Sequence, residues 1–392
     1  MTINQSTRIA FVGTGIMGSQ KAAHLLAGGY PLTVHNRTRS KTDGLVKQGA
    51  VWAETPAAAA RDADVVFTML AHPQAVEAVA LAEGTGLLAA MKPGALWIDS
   101  STTNPAFARR MAAEAERRGV HHLDAPVSGS KKQAQAAELL FFVGGEEAVI
   151  EGCREMLGLM GKQVNYVGGH GMGIAFKLVI NHLLATSMIA FAEGLALGEA
   201  LGIPQQTLLD TLIGGVVTAP YLARKREKLA SGDYRAEFPL RWMQKDLEMV
   251  AETAYQVGAA MPVSNAAKET FRLAIQHGYG DDDLSAIYAF LKSPYLPPTF
   301  LGVTNPHNRG IVLAGWRAGS GAPTPWNLLS ANHTLKENRN GTNRTIRAAA
   351  LLPDRRGRRL AANNRDRRHG CRRLRPGGQA NRCRGVLHGL SG

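Results

Sequence analysis

Residues 8–18 read Arg8-Ile9-Ala10-Phe11-Val12-Gly13-Thr14-Gly15-Ile16-Met17-Gly18. A short apolar run enters a G-x-G-x-x-G turn, the pattern of a buried strand opening a βαβ unit. Helical patterning follows from about Met17 to Leu26, and a second strand is expected at Leu32–His35. Gly13 permits the tight turn, Gly15 lets a pyrophosphate approach the backbone, and Gly18 allows close helix–strand packing. The helix N-terminus adds free N–H groups and a positive dipole end. Such turns also occur for structural reasons alone. Its place at the opening of a βαβ unit makes Gly13, Thr14, Gly15, Ile16, Met17 and Gly18 candidates for holding a dinucleotide.

Further apolar runs at Val65–Leu70 and Leu96–Ile98 alternate with Ala-, Glu- and Arg-rich helical stretches. This alternation predicts a parallel sheet with crossover helices. After about Val167 the strand signal stops. Helical patterns then cover Ile174–Leu201, Gln205–Ile213, Pro239–Val257 and Ala266–His277. The expected organisation is an α/β Rossmann-type domain over 1–167 and an all-α domain over 168–292. The most apolar stretch, Leu178–Leu201, contains Asn181, His182, Glu193 and Glu199, which favours a buried helix over a membrane span. With only seven residues before Arg8 and no secretory signal in them, the chain is expected to be soluble and cytoplasmic.

Of the 392 residues 45% are apolar, enough for a sizeable core. Three cysteines (Cys153, Cys371, Cys383) are too few and too scattered for a disulfide framework or a four-ligand zinc site, so no metal is expected. The net charge of +14 is not spread evenly. Residues 293–392 hold eighteen Lys+Arg against three acids, leaving 27 basic and 28 acidic residues in the rest. In that tail seventeen of the eighteen basic residues are Arg, whereas the body has fourteen Arg and thirteen Lys. The tail reads as disordered, and two origins stand open for it. One is an out-of-frame or read-through segment; the other is a basic nucleic-acid arm.

The second strand ends at Asn36-Arg37-Thr38 rather than at the Asp or Glu that bonds the ribose of NAD. A carboxylate there would repel a 2′-phosphate, whereas the Arg37 guanidinium can pair with one. NADP is therefore the expected cofactor, with a solvated loop charge the plainer reading of Arg37. The loop Asp124-Ala125-Pro126-Val127-Ser128-Gly129-Ser130 follows a strand-like run, and Ser128 with the amides around Gly129 could cradle a carboxylate. Lys177 and Asn181, four apart, share one face of an apolar helix. Burial would bring Lys177 into the range useful for proton transfer, and a snorkelling lysine is the alternative.

Taken together, Gly13–Gly18, Asp124–Ser130, Gly171–Asn181 and Phe238–Leu247 resemble the β-hydroxyacid dehydrogenase family over about residues 8–291. Ser128-Gly129-Ser130-Lys131-Lys132 and Asn36-Arg37-Thr38 are similar to its branch of NADPH-dependent glyoxylate and succinic semialdehyde reductases. Gln133, where that branch has Pro, and Phe141-Phe142 depart from it. The resemblance implies Lys177 as proton donor or base, Asn181 as its orienting partner, and Ser128 and Gly129 as carboxylate ligands. It implies Met69, Leu70 and Thr102 beside the cofactor, Lys245 reaching it from the helical domain, and Phe238 and Asp246 at the cleft. The partners implied are a small oxo acid or semialdehyde and further copies of the chain, as a homodimer or homotetramer. A 3-hydroxyisobutyrate or tartronate semialdehyde dehydrogenase is the near alternative. A nucleic-acid-associated scaffold is the distant one, supported by the tail alone and disfavoured by the presence of Lys177.

Overall fold

The computed structural model describes residues 3–292. The basic tail expected from Ser293 onward lies outside the described residues. At the centre of the sheet is β1 (Ile9–Val12), all four residues buried, between β2 (Leu32–His35) and β4 (Val65–Thr68). The short β3 (Val51–Trp52) adds to β2, while β5 (Leu96–Asp99) and β6 (His121–Asp124) extend the other side. All these pairings are parallel. Continuous burial of β1, β4 and β5 is what a sheet covered on both faces requires. Phe11 stacks on Phe67 at 5.6 Å on one face, and Trp97 packs with Leu88 and Met111 on the other.

The sheet is not parallel throughout. Beyond β6, β7 (Val127–Ser128) pairs antiparallel with β8 (Leu139–Gly144), and β8 meets β6 antiparallel at Gly144–Asp124. Ten residues separate β7 from β8, too few for a parallel crossover yet enough for an antiparallel return. Gln133 and Phe141, part of the stretch that departs from the resembled branch, belong to this return. Finally β9 (Gly161–Gly168) runs parallel to β8.

The helical half begins with the 29-residue helix Met172–Ala200. Its start is held by a strand of the sheet. Asp124, at the carboxyl end of β6, accepts from Gly171 N at 2.7 Å and Ile174 N at 2.9 Å, capping orphan donors from outside the helix. A Cβ at Gly173 would come within 2.5 Å of the carbonyl oxygens of Asp124 and Phe142, so the helix lies almost against the strands. Burial pushes the Asp124 carboxyl up to about 6, against the two N–H groups that favour its charged form.

One face of the long helix (Ala185, Met188, Ala192, Leu195) packs with Leu209, Leu240, Leu247 and Phe271 from the helices that follow, Gln205–Leu212, Leu240–Val257 and Pro262–Gln276. The expectation of a buried helix holds for this face. Phe176, Val179, Leu183, Leu197 and Leu201 form an exposed apolar stripe along its opposite side, 45% to 71% accessible. The helix is long and apolar enough to cross a membrane by length and composition. Its polar groups nonetheless bond within the helical layer: Asn181 to Asp246, and Glu199 to Tyr288 and Lys292.

Asp124→Ala leaves two buried N–H groups without acceptors, a cost of about 2 kcal/mol or more and a fall in Tm of at least about 4 °C. Asp124→Asn, keeping one acceptor, should lose roughly half as much. Because the folded-state pKa is raised, the stability contributed by the Asp124 proton is full below about pH 4 and lost as pH rises through about 6. Calorimetry of wild type and Asp124→Asn across that window should show the slope only in wild type.

Candidate active site

Parallel strands β1, β4, β5 and β6 end on one edge, and there the helical half closes a cleft of about 470 Å³. Sites of α/β proteins lie at this edge because the loops and helix N-termini beyond the strands converge there. The sheet side is lined by Gly15–Gly18, Met69–Ala71, Ser100–Thr102 and Val127–Ser130, the helical side by Lys177, Asn181, Phe238, Trp242, Lys245 and Asp246 among others.

The glycine turn fits a dinucleotide. Gly13 has φ +101°, and a Cβ there would meet Met69 O at 2.3 Å; a Cβ at Gly18 would meet Gly13 O at 1.9 Å. Around Gly15 there is open space within 4 Å, so backbone is presented bare to the groove at the start of the helix Gly18–Ala27. Asn36 steadies the turn, accepting from Thr14 N at 3.1 Å, and the Thr14 hydroxyl donates to Lys41 O at 3.2 Å. Arg37 and Thr38 are exposed just past β2. Gly13, Thr14, Asn36, Arg37 and Thr38 do not line the central cleft; Lys41 does. β2 stands one strand out from β1, and Asn36 is occupied with Thr14, which accounts for that arrangement.

Lys177 lies one and a half turns into the long helix, partly open to the cleft, with no hydrogen-bond partner for its ammonium among the described residues. Burial pulls it down to about 8, with Asp246 opposing that fall and Lys245 adding to it. Four residues on, Asn181 is wholly buried and its Nδ2 donates to Asp246 Oδ2 at 2.6 Å. A carboxylate only accepts, so the amide nitrogen must face Asp246. Among the described residues Asn181 Oδ1 is left buried without a partner, beside the cleft that Asn181 lines. Asp246 Oδ1 pairs with Lys245 Nζ at 2.9 Å. Lys245 Nζ also donates to Ala71 O at 2.9 Å and Thr102 O at 3.0 Å, across to the sheet domain. These two hydrogen bonds join the two halves, while the Asp246 ion pair stays within Lys245's own helix.

On the other wall, Gly129 has φ +127°, and a Cβ there would run into Leu139 and Gln133 side chains at 2.8 and 3.0 Å. Gln133 Oε1 accepts from Ser130 N at 2.9 Å and Ser130 Oγ at 2.8 Å. The Ser130 hydroxyl is thus turned away, leaving Ser128 and the Gly129 amide at the cleft. Beneath Phe238, Asp283 binds Lys225 Nζ at 2.8 and 2.9 Å and accepts from the Glu237 and Phe238 amides at 3.1 and 3.2 Å. Burial alone would raise Asp283; the Lys225 charge and hydrogen bond outweigh it and hold the carboxyl below its usual value.

Several cleft residues carried no sequence signal. Tyr221, Arg224, Lys225, Glu237 and Trp242 come from the segment around the 3-10 helix Pro220–Lys225 and the start of Leu240–Val257. Lys21, fully buried beneath the glycine turn, and Ser100 were missed as well. Lys21 alone offered a clue, a charged residue on the apolar side of the first helix.

A dinucleotide turn on a mainly parallel sheet, a capping helical domain and a lysine at their seam define a two-domain nicotinamide-dependent oxidoreductase. Residues 8–168 match the NAD-binding domain of 6-phosphogluconate dehydrogenase, and residues 171–291 match the NAD-binding domain of NADP-dependent 3-hydroxyisobutyrate dehydrogenase. The chain is 35% identical over 285 residues to glyoxylate/succinic semialdehyde reductase 2 (chloroplastic) of Arabidopsis thaliana, covering 73% of this chain and 79% of that protein. It is 38% identical over 287 residues to the NAD-dependent L-serine dehydrogenase of Pseudomonas aeruginosa, covering 71% and 96%. The solved structure of Mycobacterium tuberculosis 3-hydroxyisobutyrate dehydrogenase with L-serine superposes with a TM-score of 0.67 at 32% identity, over 74% of this chain and all of that one. The chain belongs to the β-hydroxyacid dehydrogenase family and is an oxidoreductase of the 3-hydroxyacid dehydrogenase type.

The glycines differ in a way that mutation should expose. Gly18→Ala forces a Cβ into the Gly13 carbonyl and should lower Tm by several degrees. Gly15→Ala meets nothing in the free protein and should change Tm by no more than about 2 °C, while weakening NADPH and NADH binding at least about tenfold. Thermal melts and fluorescence titration check both.

Proposed function

We propose that this protein reduces a small oxo acid or semialdehyde, such as glyoxylate or succinic semialdehyde, to the hydroxy acid with NADPH. The observation that carries the reading is Lys177, unpaired among the described residues, in the same cleft as the bare Gly15 turn and the Ser128–Gly129 loop. Gly15–Gly18 would hold the diphosphate, Met69, Leu70 and Thr102 would flank the nicotinamide, and Arg37 would meet the 2′-phosphate. When bound, the cofactor supplies the hydride in reduction and accepts it in oxidation.

The chain's own residues do the rest. Ser128 and the Gly129 amide hold the carboxylate and so aim the carbonyl toward the helical wall. Lys177, as ammonium, donates a proton to the carbonyl oxygen as it becomes a hydroxyl; in the reverse direction the neutral amine takes that proton. Asn181 Oδ1 accepts from the lysine or from the product hydroxyl, and Asp246 fixes the amide in that orientation. Lys245 keeps Thr102 and Ala71 against the helical wall, while Phe238 and Trp242 exclude water.

A second reading is NAD-dependent oxidation of a 3-hydroxy acid: L-serine, 3-hydroxyisobutyrate or the tartronate semialdehyde couple. The NAD-dependent serine dehydrogenase relative favours it. The exposed stripe Phe176–Leu201 supports assembly into a homodimer or homotetramer through the helical half. The ionisable groups bonded within that half support a soluble enzyme, for which we propose a cytoplasmic location.

Absorbance at 340 nm with glyoxylate, succinic semialdehyde, tartronate semialdehyde and methylmalonate semialdehyde, each with NADPH and NADH, tests the substrate and cofactor together. Arg37→Asp should weaken NADPH at least about tenfold and leave NADH nearly unchanged. Equal losses would remove the phosphate assignment. Lys177→Ala should cut kcat by about 10² to 10⁴ with cofactor Kd within twofold. In wild type, reduction should decline as pH rises through about 8, where Lys177 loses its proton, and oxidation should rise through the same pH.

A further inference from the structure

Lys21 stands one turn into the helix after the glycine turn and is completely buried. Its Nζ donates to Ser100 Oγ at 2.6 Å and sits 4.9 Å from the Phe141 ring centre and 5.9 Å from that of Phe67. A buried ammonium is costly unless hydrogen-bonded and compensated. Asp99 on β5 supplies the opposing charge, yet its Oδ1 accepts from Thr68 Oγ1 at 2.7 Å and Ser101 N at 3.0 Å, not from the lysine. Ser100 is therefore the one side-chain hydrogen bond that the described residues offer Lys21.

The chemistry of that bond fixes the direction of a proton. An ammonium has donors only, so Ser100 Oγ must be the acceptor, and the hydroxyl hydrogen must point elsewhere. No described residue accepts it. Ser100 is 2% exposed and lines the cleft beside Met17, Gly18 and Ser101. The neighbouring Ser101 is differently engaged, its Oγ accepting from Leu70 N at 2.9 Å. We propose that Lys21 is a positioning residue that makes Ser100 an obligate hydrogen-bond donor to an anionic oxygen of the bound ligand, a cofactor phosphate or the substrate carboxylate. This rests on the oxidoreductase reading above.

The arrangement is sensitive to pH. A neutral Lys21 amine can itself accept, so the Ser100 hydroxyl is then free to turn inward and the donor is lost to the cleft. Burial lowers Lys21 to about 7, with Asp99 opposing the fall. Around the ammonium, β5 contributes Asp99, with Asp124 on β6 beyond it. β4 and β8 contribute the uncharged Phe67 and Phe141, and His24 on Lys21's own helix is bonded to Ala134 O. Asp99 is itself raised by burial, which leaves the lysine short of full compensation. Ligand affinity from this source is present below about pH 7 and declines above it.

The test uses the full chain as wild type, Lys21→Met, Ser100→Ala and the double variant. NADPH is titrated by protein fluorescence at pH 6 and 8.5, and KM for the best aldehyde is measured at saturating NADPH. Each single variant should weaken the same ligand about fivefold at pH 6, the double variant no further, and the loss of affinity from pH 6 to 8.5 should be smaller in both than in wild type. A change in NADPH Kd assigns the phosphate as the acceptor, and a change in KM alone assigns the carboxylate. Wild type that binds NADPH while Ser100→Ala matches it in Kd, KM and pH dependence overturns this inference alone. Independent losses that add in the double variant also overturn it. Wild type that binds neither NADPH nor NADH overturns the oxidoreductase reading and this inference with it. Should Lys21→Met fail to fold, Ser100→Ala, a loss of one oxygen, carries the test.

Discussion

The carboxylate of Asp124 is the joint on which the molecule depends. It belongs to the last residue of β6, yet its two oxygens close the first turn of the helix Met172–Ala200. That fixes the helix in rotation as well as in position, because both bonded amides lie within four residues of each other. Lys177 and Asn181 then follow at fixed angles on a rigid rod. A glycine at 173 permits the approach, and the glycine at 171, with φ +86°, turns the chain into it. Without this joint the wall that carries Lys177 would lose its fixed orientation to the edge that carries the glycine turn.

Lys245, Lys177 and Lys21 meet this edge in three environments, and the differences decide what each can do. Lys245 is paired with Asp246 on its own helix and donates to two carbonyls of the sheet half, so it acts as a bolt between the halves. Lys177 is drawn down to about 8 by burial and is left unbonded among the described residues, the state suited to proton transfer near neutral pH. Lys21 is deeper still, and its single bond determines where a serine hydroxyl points. Residue type alone would treat all three as surface cations; burial and partners separate them.

The contiguous signals were readable because their causes are local. G-x-G-x-x-G between an apolar run and a helical pattern specifies a turn whose constraints act within six residues. Lys177 and Asn181 share a face by helical spacing, which holds wherever the helix packs. The Ser128 loop was a local signal too, and the resemblance of four ordered segments added Lys245 and Asp246. Missed by contrast were Lys21, Ser100, Lys225 and Asp283, whose partners are 79 and 58 residues away in the chain. Nothing near them in sequence announces such a contact.

By itself the sequence determined an α/β half followed by an all-helical half, the dinucleotide turn and the placing of Lys177 and Asn181 on one helix face. Periodicity, glycine placement and helical spacing are properties of neighbouring residues, and they suffice for that. Only the tertiary structure decided that β8 runs against its neighbours, that half the long helix surface stays open, and that Arg37 lies away from the central cleft. It alone decided which buried polar atoms are satisfied and which, like Asn181 Oδ1 and the Ser100 hydroxyl, remain for a ligand. Those outcomes depend on which distant groups exclude water from one another, and that is settled when the two halves pack.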